Sequence, residues 1–282
     1  AHLANVALSP LQAAALACPL PAGPMLAVVE DITGAGKTEA ALLVAARLMA
    51  ERRAAGLFFA LPTMATANAM YDRLAASYRR LFEPEASPSL VLAHGKRTLH
   101  EGFRASILEA TATRPERDAD EGRPETWADE TASASCAAWI ADDRRKAFLA
   151  DVGVGTIDQA LLGILPSRFQ AMRLWGLAER VLVIDEAHSF DFFVSRNLET
   201  LLEFQAALGG SAVVLSATLS TEARHRLVAA FQRGLGVEPA REAVRTADYP
   251  LLTLVGAADV TAHEVEARAR RRRRLAVRRI AP

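Results

Sequence analysis

The chain has 282 residues, of which 51% are hydrophobic and 23% charged, and its formal net charge is zero. This length predicts one large domain or two small ones with a buried core, and the neutral charge does not by itself indicate a nucleic-acid-binding protein. No apolar run reaches the roughly 18 residues of a membrane span. Cys18 and Cys136 lie far apart and without metal-ligand spacing, so neither a disulfide framework nor a zinc site is supported. A reducing, cytoplasmic setting is expected.

Apolar runs and helical patterns alternate along the first hundred residues. Residues 25–30, 57–61 and 90–93 are short apolar runs typical of buried strands. Helices are predicted between them, over residues 37–53 and 63–81. This β-α-β-α-β order predicts an α/β fold with a parallel sheet and right-handed crossovers.

Residues 110–135 interrupt this pattern, because charged residues, proline, threonine and alanine replace the apolar ones. We predict a mobile surface insertion there. The elements predicted beyond it are helices over 157–165, 192–208 and 222–231 and strands over 181–184, 212–215 and 251–255.

Eight arginines lie between Arg268 and Arg279. We predict that residues 1–256 form one lobe and that residues 257–282 are a solvated basic linker. A run of this charge could also clamp DNA electrostatically.

A glycine-rich loop lies between the first predicted strand and the first predicted helix. Residues 30–38 read Glu-Asp-Ile-Thr-Gly-Ala-Gly-Lys-Thr, and this context is typical of a phosphate-binding loop. Lys37 would reach the β- and γ-phosphates, and the Thr38 hydroxyl would complete the shell of a Mg²⁺ ion. The helix N-terminus and the loop N–H groups would face the phosphates, the loop residues being Thr33, Gly34, Ala35 and Gly36.

One loop residue departs from the pattern. Asp31 stands where glycine is expected, and a carboxylate near a triphosphate is unfavourable unless it points away. The alternative interpretation of the loop is a glycine turn before an ordinary helix.

An acidic motif follows the predicted strand at 181–184. Nucleotide sites of open α/β sheets lie at the carboxyl ends of strands. Asp185 is therefore a candidate Mg²⁺ ligand, and Glu186 is placed to orient and deprotonate an attacking water. His188 would sense the γ-phosphate, and Ser216 and Thr218 at the end of the next strand would couple nucleotide state to lobe movement. The simpler alternative at both places is a turn that ends a strand.

The three motifs together resemble the first RecA-like lobe of superfamily 2 helicases. Residues 61–70, 154–162 and 185–193 further resemble the helicase core of the CRISPR-associated helicase–nuclease of type I systems. The resemblance extends over about residues 8–249, apart from the insertion. It implies a three-layer RecA-like P-loop NTPase lobe with a mainly parallel central sheet.

The resemblance implies further binding residues. Gln12 matches the family's glutamine on the adenine side of the nucleotide, although an exposed polar residue would look the same. Backbone contacts to single-stranded DNA are implied for Thr63, Thr66, Gly155 and Thr156. Thr63 follows Pro62 and could equally be a helix N-cap.

The implied function is the ATP-binding first motor lobe of an ATP-dependent single-stranded-DNA translocase or helicase in type I CRISPR interference. Its cofactors would be ATP and Mg²⁺, and its partners single-stranded DNA and an RNA-guided surveillance complex, in a prokaryotic cytoplasm and without a membrane. The family also has a second RecA-like lobe and a His-Asp nuclease module. We expect both to be absent from this chain, since no histidine here precedes an aspartate, and we expect weak ATP hydrolysis from the lobe alone.

Two alternatives stay open. The chain could belong to another superfamily 2 helicase acting on DNA or RNA. It could also be a non-hydrolysing nucleotide-binding module in which Asp31 impairs the loop.

Overall fold

The structure, a computed structural model, describes residues 8–83, 86, 88–93, 146–178, 180–239 and 249–266. Its helices are α1 (Pro10–Ala17), α2 (Lys37–Ala50), α3 (Met64–Ala75), α4 (Ile157–Leu161), α5 (Gln170–Ala178), α6 (Phe192–Ala207) and α7 (Thr221–Gly234). Its strands are β1 (Leu26–Glu30), β2 (Gly56–Leu61), β3 (Leu90–Ala93), β4 (Val152–Thr156), β5 (Arg180–Ile184), β6 (Ala212–Ser216), β7 (Leu251–Val255) and β8 (Val260–Glu264). The insertion predicted at 110–135 and the arginines between 268 and 279 lie outside the described residues.

The eight strands form one sheet in the order β3-β4-β2-β5-β6-β1-β7-β8. Pairing is parallel from β3 through β1 and antiparallel from β1 to β7 and from β7 to β8. This arrangement confirms the predicted α/β fold with a mainly parallel central sheet. Strands β1, β2, β5, β6 and β7 are buried at every position, as expected for strands covered on both faces.

Several predicted helices end earlier than expected. Helix α3 stops at Ala75, and a separate 3-10 turn, Tyr78–Leu81, follows it. Helix α2 ends at Ala50 rather than 53, and α4 at Leu161 rather than 165. The apolar period continues past each end because partly buried residues there still pack on the core, among them Tyr78, Leu81, Ile164 and Leu165.

Four elements were not predicted. Helix α1 is only eight residues long and begins at a proline, with Ser9 as its N-cap. Strand β4 contains Gly153 and Gly155, and glycine weakens a strand pattern. Helix α5 was not assigned a structure, and β8 is a half-exposed edge strand with a polar sequence. Strand β8 falls at the start of the range that was assigned to the basic linker.

A stacked aromatic pair joins β2 to the 3-10 turn Lys146–Leu149. The Phe58 and Phe148 rings lie 4.4 Å apart between centroids at an interplanar angle of 19°, and both side chains are fully buried. The guanidinium of Arg180 holds the same turn, donating to the carbonyl oxygens of Leu149 at 2.6 Å and Ala150 at 2.5 Å. The segment at residues 146–150 is thereby fixed against the sheet. Within the described ranges, no helix is long and apolar enough to cross a membrane.

We expect Phe58→Ala to lower the free energy of unfolding by about 3–5 kcal/mol, because it empties a fully buried site in a packed core. The matched control is Phe204→Ala on α6, where the ring is 42% exposed and the loss should be about 1 kcal/mol or less. Urea unfolding followed by circular dichroism measures both. Equal losses for the two variants would contradict this account of the core.

Candidate functional site

The three loops that carry the predicted motifs lie at one edge of the sheet. They follow β1, β5 and β6, which are neighbours in the order β5-β6-β1 and run parallel. Carboxyl ends of parallel strands meet at the same edge. The fold therefore brings residues 31–38, 185–188 and 216–218 together, although these segments are far apart in the sequence.

The glycine-rich loop wraps around the side chain of its own lysine. Gly34 and Gly36 adopt the left-handed backbone with φ of 82° and 93°, which glycine reaches without steric cost. Helix α2 begins directly afterwards, at Lys37. The Lys37 Nζ donates to the carbonyl oxygens of Asp31 at 2.7 Å and Ile32 at 3.1 Å, and the residue is buried. The ammonium is thus held inside the loop.

Asp31 turns away from the space above the loop. Its Oδ1 accepts a hydrogen bond from the N–H of Ile32 at 2.7 Å, and its own N–H donates to the Ser216 carbonyl oxygen at 3.3 Å. The residue is 9% exposed and is not among the residues that line the cavity described next. The carboxylate that departs from the loop pattern therefore does not face the cavity.

A cavity of about 290 Å³ joins the phosphate loop to the acidic motif. Its lining residues are Thr33, Gly34, Gly36, Lys37, Thr38, Glu39, Arg73, Asp185 and Glu186. Loop N–H groups, an ammonium, a hydroxyl and two carboxylates thus surround one space, as the sequence predicted. Glu39 and Arg73 were not predicted to belong to it.

Asp185 and Glu186 directly follow β5, and the second of them has an unusual backbone conformation. Burial and the neighbouring charge of Glu186 raise the pKa of Asp185, while the Glu186 N–H and the charges of Lys37 and Arg73 oppose that shift. The Asp185 Oδ1 accepts that N–H at 2.8 Å. Glu186 itself has φ of 54°, a left-handed conformation that is costly for a side chain with a Cβ and that clusters at functional sites.

The donor set fits a magnesium ion carried by a nucleotide. Thr38 and Asp185 present oxygen atoms to the same cavity, and Mg²⁺ is usually held by one or two protein oxygens together with substrate phosphates. In the part of the chain that the structure describes, no group of three or more His, Cys, Asp or Glu could hold a metal without such help.

His188 joins the acidic motif to the loop after β6. Its Nδ1 accepts from the Ala217 N–H at 3.2 Å and lies 3.2 Å from the Glu186 Oε2 and 3.4 Å from the Ser216 Oγ. An Nδ1 that accepts a hydrogen bond carries no proton. Ser216 donates to the Thr218 carbonyl oxygen at 3.0 Å. His188, Ser216 and Thr218, the three residues predicted to couple the motifs, therefore lie next to one another, and the Ala217 N–H links His188 to the loop after β6.

Gln12 lies beside the phosphate loop. It forms a capping box with Ser9, because its Oε1 accepts the Ser9 N–H at 2.9 Å and the Ser9 Oγ accepts the Gln12 N–H at 3.3 Å. A Cβ on Gly36 would come within 2.4 Å of the Gln12 Nε2. Gln12 thus has a structural role at the start of α1 as well as a position next to the predicted nucleotide site.

A second cavity of about 610 Å³ adjoins the first and shares Thr33 and Glu186 with it. Its other lining residues are Pro62, Thr63, Ile157, Asp158, His188, Ser189, Phe190, Asp191 and Val194. Of the residues predicted to contact DNA, Thr63 lines this cavity, and Thr156 immediately precedes Ile157.

The predicted DNA-binding residues differ in accessibility. Thr63 and Thr66 are exposed and form a capping box at the start of α3, so the alternative N-cap interpretation of Thr63 is correct as far as local structure goes. Gly155 is buried in β4 between Ala60 and Ala93, and a Cβ there would lie 2.5 Å from the Ala93 carbonyl oxygen. Packing within the sheet therefore accounts for the glycine at 155, and Thr156 is 6% exposed.

A buried ion pair beneath the loop was not anticipated from the sequence. The Arg224 Nε and NH2 donate to the two carboxylate oxygens of Glu30 at 2.5 and 3.2 Å, with side-chain exposures of 4% and 1%. Burial raises the pKa of Glu30, and the hydrogen bond and charge of Arg224 offset part of that shift. The sequence signal for this ion pair is weak: a glutamate stands at the end of an apolar strand, and its partner Arg224 lies 194 residues away.

Comparison with known proteins identifies close relatives, although no family model matches the chain. It is 38% identical over 247 residues to the CRISPR-associated endonuclease/helicase Cas3 of Escherichia coli (strain K12), covering 88% of this chain and 26% of that protein. It is 41% identical over 236 residues to the protein of the same name from Thermus thermophilus, covering 83% of this chain and 23% of that protein. The chain thus spans about a quarter of the length of these curated relatives.

Solved structures show the same similarity. The crystal structure of T. fusca Cas3-ATP matches with a TM-score of 0.71 and 35% identity, covering 93% of this chain and 27% of that one. A chain of a CRISPR RNA-guided surveillance complex, pre-nicking, matches with a TM-score of 0.60 and 31% identity, covering 93% of this chain and 25% of that one.

We expect Arg224→Ala to cost about 3–5 kcal/mol of stability near pH 8, because it leaves the Glu30 carboxylate buried without its partner. In this variant the pKa of Glu30 in the folded state lies above the unfolded value of about 4.5. An acid with a raised folded pKa binds its proton more tightly when folded, so the penalty shrinks as the pH falls toward that pKa.

Urea unfolding at pH 5 and pH 8 measures the difference between wild type and Arg224→Ala. The control is the double variant Glu30→Gln/Arg224→Met, which has no buried carboxylate and whose own free energy of unfolding should not depend on pH through this site. A penalty for Arg224→Ala that is the same at both pH values would contradict the assignment.

Proposed function

We propose that this chain, a superfamily 2 helicase lobe of the Cas3 type, is the ATP-binding half of a motor that moves along single-stranded DNA in type I CRISPR interference. The observation that carries the proposal is the cavity shared by Lys37, Thr38, Asp185 and Glu186. One metal–triphosphate could contact all four residues there. Both relatives described above are named CRISPR-associated endonuclease/helicase Cas3, which supports a helicase function for this chain.

The residues that the sequence predicted for nucleotide binding have distinct roles in this proposal. The loop of Thr33, Gly34, Ala35 and Gly36, together with the start of α2, holds the phosphates, and the Ala35 N–H closes the loop by donating to the Ile32 carbonyl oxygen at 3.2 Å. Lys37 exchanges its two loop carbonyls for phosphate oxygens, and Thr38 and Asp185 hold Mg²⁺. When bound, Mg²⁺ supplies neutralisation of the charge on the β- and γ-phosphates. Gln12, beside the loop, contacts the adenine.

Glu186 and His188 carry the chemical and coupling steps. Glu186 accepts the proton of an attacking water, and its carboxylate is half-exposed toward both cavities. His188 reports the state of Glu186 to Ser216, Thr218 and the backbone of Ala217, because its Nδ1 contacts both sides. Any change at the γ-phosphate then reaches the loop after β6 through one imidazole ring.

The second cavity is our candidate for the path of the DNA strand. Thr63 would contact a phosphate with its exposed hydroxyl, and Thr66 would hold Thr63 in place through the capping box. Gly155 lets β4 pack closely, and Thr156, which follows it, would reach the strand from the end of β4. Such contacts bind without reading sequence, as a translocating motor requires. Similarity to a chain of an RNA-guided surveillance complex supports such a complex as the recruiting partner, in a prokaryotic cytoplasm.

We further propose that this lobe hydrolyses ATP slowly by itself. Motors of this kind complete the site with arginines from a second lobe, and such an arginine contributes roughly 10³–10⁵ in rate. A second lobe and a nuclease module would therefore act with this chain during interference.

Lys37→Ala and Glu186→Gln should separate binding from hydrolysis. Lys37→Ala should weaken Mg²⁺–ATP binding by about 10-fold or more, because it removes a charge-assisted contact to phosphate. Glu186→Gln should leave binding within about 3-fold of wild type and lower turnover by about 10²-fold or more. Calorimetric titration and a phosphate-release assay measure the two effects; unchanged ATP affinity in Lys37→Ala would instead support a module that does not use this loop.

The 282-residue chain should hydrolyse ATP at least about 10³-fold more slowly than a complete motor, with or without single-stranded DNA. The measurement is phosphate release with DNA and, in parallel, with RNA of equal length. Rapid DNA-stimulated turnover would overturn the proposed need for a second lobe, and stimulation by RNA alone would favour an RNA helicase.

A further inference from the structure

Helix α3 brings a cation to the nucleotide cavity that the glycine-rich loop does not supply. Arg73, in the last turn of α3, lines the 290 Å³ cavity together with Lys37, Asp185 and Glu186. Its side chain forms an ion pair with Glu39, the residue that follows Thr38 in α2. Neither Arg73 nor Glu39 has a role in the function proposed above.

The Arg73–Glu39 ion pair is accessible to water and can separate. The Arg73 side chain is 48% exposed and the Glu39 side chain 45% exposed. Pairs with this exposure contribute little to folding stability, because water solvates both charges when they separate. A phosphate group entering the cavity would offer the guanidinium a charge-assisted and bidentate partner instead. The exchange therefore costs little and gains a stronger contact.

The lining of the cavity places Arg73 beside the acidic motif. Arg73, Asp185 and Glu186 line the same space of about 290 Å³, and the guanidinium pairs with the residue that follows Thr38. Thr38, Asp185 and Glu186 are the residues proposed above to act at the metal ion and the outermost phosphate. The guanidinium therefore lies on the side of the cavity where that phosphate would bind.

We propose that Arg73 is a ligand of the terminal phosphate of a nucleoside triphosphate, supplied by this lobe itself, and that Glu39 holds it when the cavity contains no triphosphate. This inference rests on the proposed nucleotide-binding function of the cavity. It makes Arg73 a residue that distinguishes triphosphate from diphosphate, because a diphosphate lacks the group that Arg73 contacts. Glu39 competes with the triphosphate for the same guanidinium.

The experiment measures dissociation constants of the chain for Mg²⁺–AMP-PNP and Mg²⁺–ADP by calorimetric titration. We expect Arg73→Ala to weaken AMP-PNP binding by about tenfold and ADP binding by less than about twofold. Arg73→Lys keeps the charge but loses the bidentate geometry, so an intermediate value is expected. The matched control is Arg80→Ala, another exposed arginine that follows α3 and does not line the cavity.

Glu39→Gln provides a test with the opposite sign. It removes the competitor of the phosphate, so AMP-PNP should bind more tightly than to wild type, and this gain should disappear in the Glu39→Gln/Arg73→Ala double variant. A merely structural ion pair predicts weaker binding of both nucleotides in either single variant. That result, or an unchanged AMP-PNP to ADP ratio in Arg73→Ala, would overturn the inference.

Lys37→Ala distinguishes failure of the Arg73 proposal from failure of the proposed nucleotide-binding function. If wild type binds AMP-PNP and Lys37→Ala does not, while Arg73→Ala behaves as wild type, only the role of Arg73 is wrong. If wild type and Lys37→Ala bind equally, the cavity is not the nucleotide site, and both proposals fail together.

Discussion

Two buried charges, those of Glu30 and Arg224, fix the point at which the phosphate loop begins. Glu30 is the last residue of β1, and Arg224 lies in the first turns of α7, which starts just beyond the Ser-Ala-Thr loop. A pair this deeply buried cannot open without leaving a charge unsolvated. The N–H of Asp31 also bonds to the Ser216 carbonyl oxygen. The same contacts therefore anchor the glycine-rich loop and the loop after β6, and a displacement of one loop moves the other.

The two cavities meet at Glu186. This residue lines both of them, contacts His188, and holds a left-handed backbone conformation at the end of β5. Helix α3 also reaches both, with Thr63 at its N-cap beside the larger cavity and Arg73 in its last turn beside the smaller one. A ligand in one cavity therefore acts on elements that form the wall of the other. This arrangement suits a motor in which strand binding and nucleotide state must depend on each other.

The sequence predicted those parts of the site in which the functional residues are consecutive. Two short motifs each indicate a loop at the end of a strand: the glycines at 34 and 36 with the lysine that follows, and the acidic pair after β5. The parallel order of the sheet then brings them together. Arg73 and Arg224 could not be found in this way, because their partners lie 34 and 194 residues away and helical arginines are commonplace. Strand β4 was missed because Gly153 and Gly155 interrupt its apolar pattern, and the glycine at 155 is required by packing against Ala93 of the neighbouring strand.

The bonds from Lys37 to Asp31 and Ile32 have a bearing on how the site empties. A lysine that found no partner after phosphate left would retain its hold on the departing product, since a buried ammonium cannot stand alone. Here two carbonyl oxygens of the same loop wait within hydrogen-bonding distance and take over that ammonium. In the proposed function the loop carbonyls would therefore compete with the spent nucleotide for Lys37, which would lower equilibrium affinity and shorten the residence time of the product. A motor limited by product release would turn over faster for it.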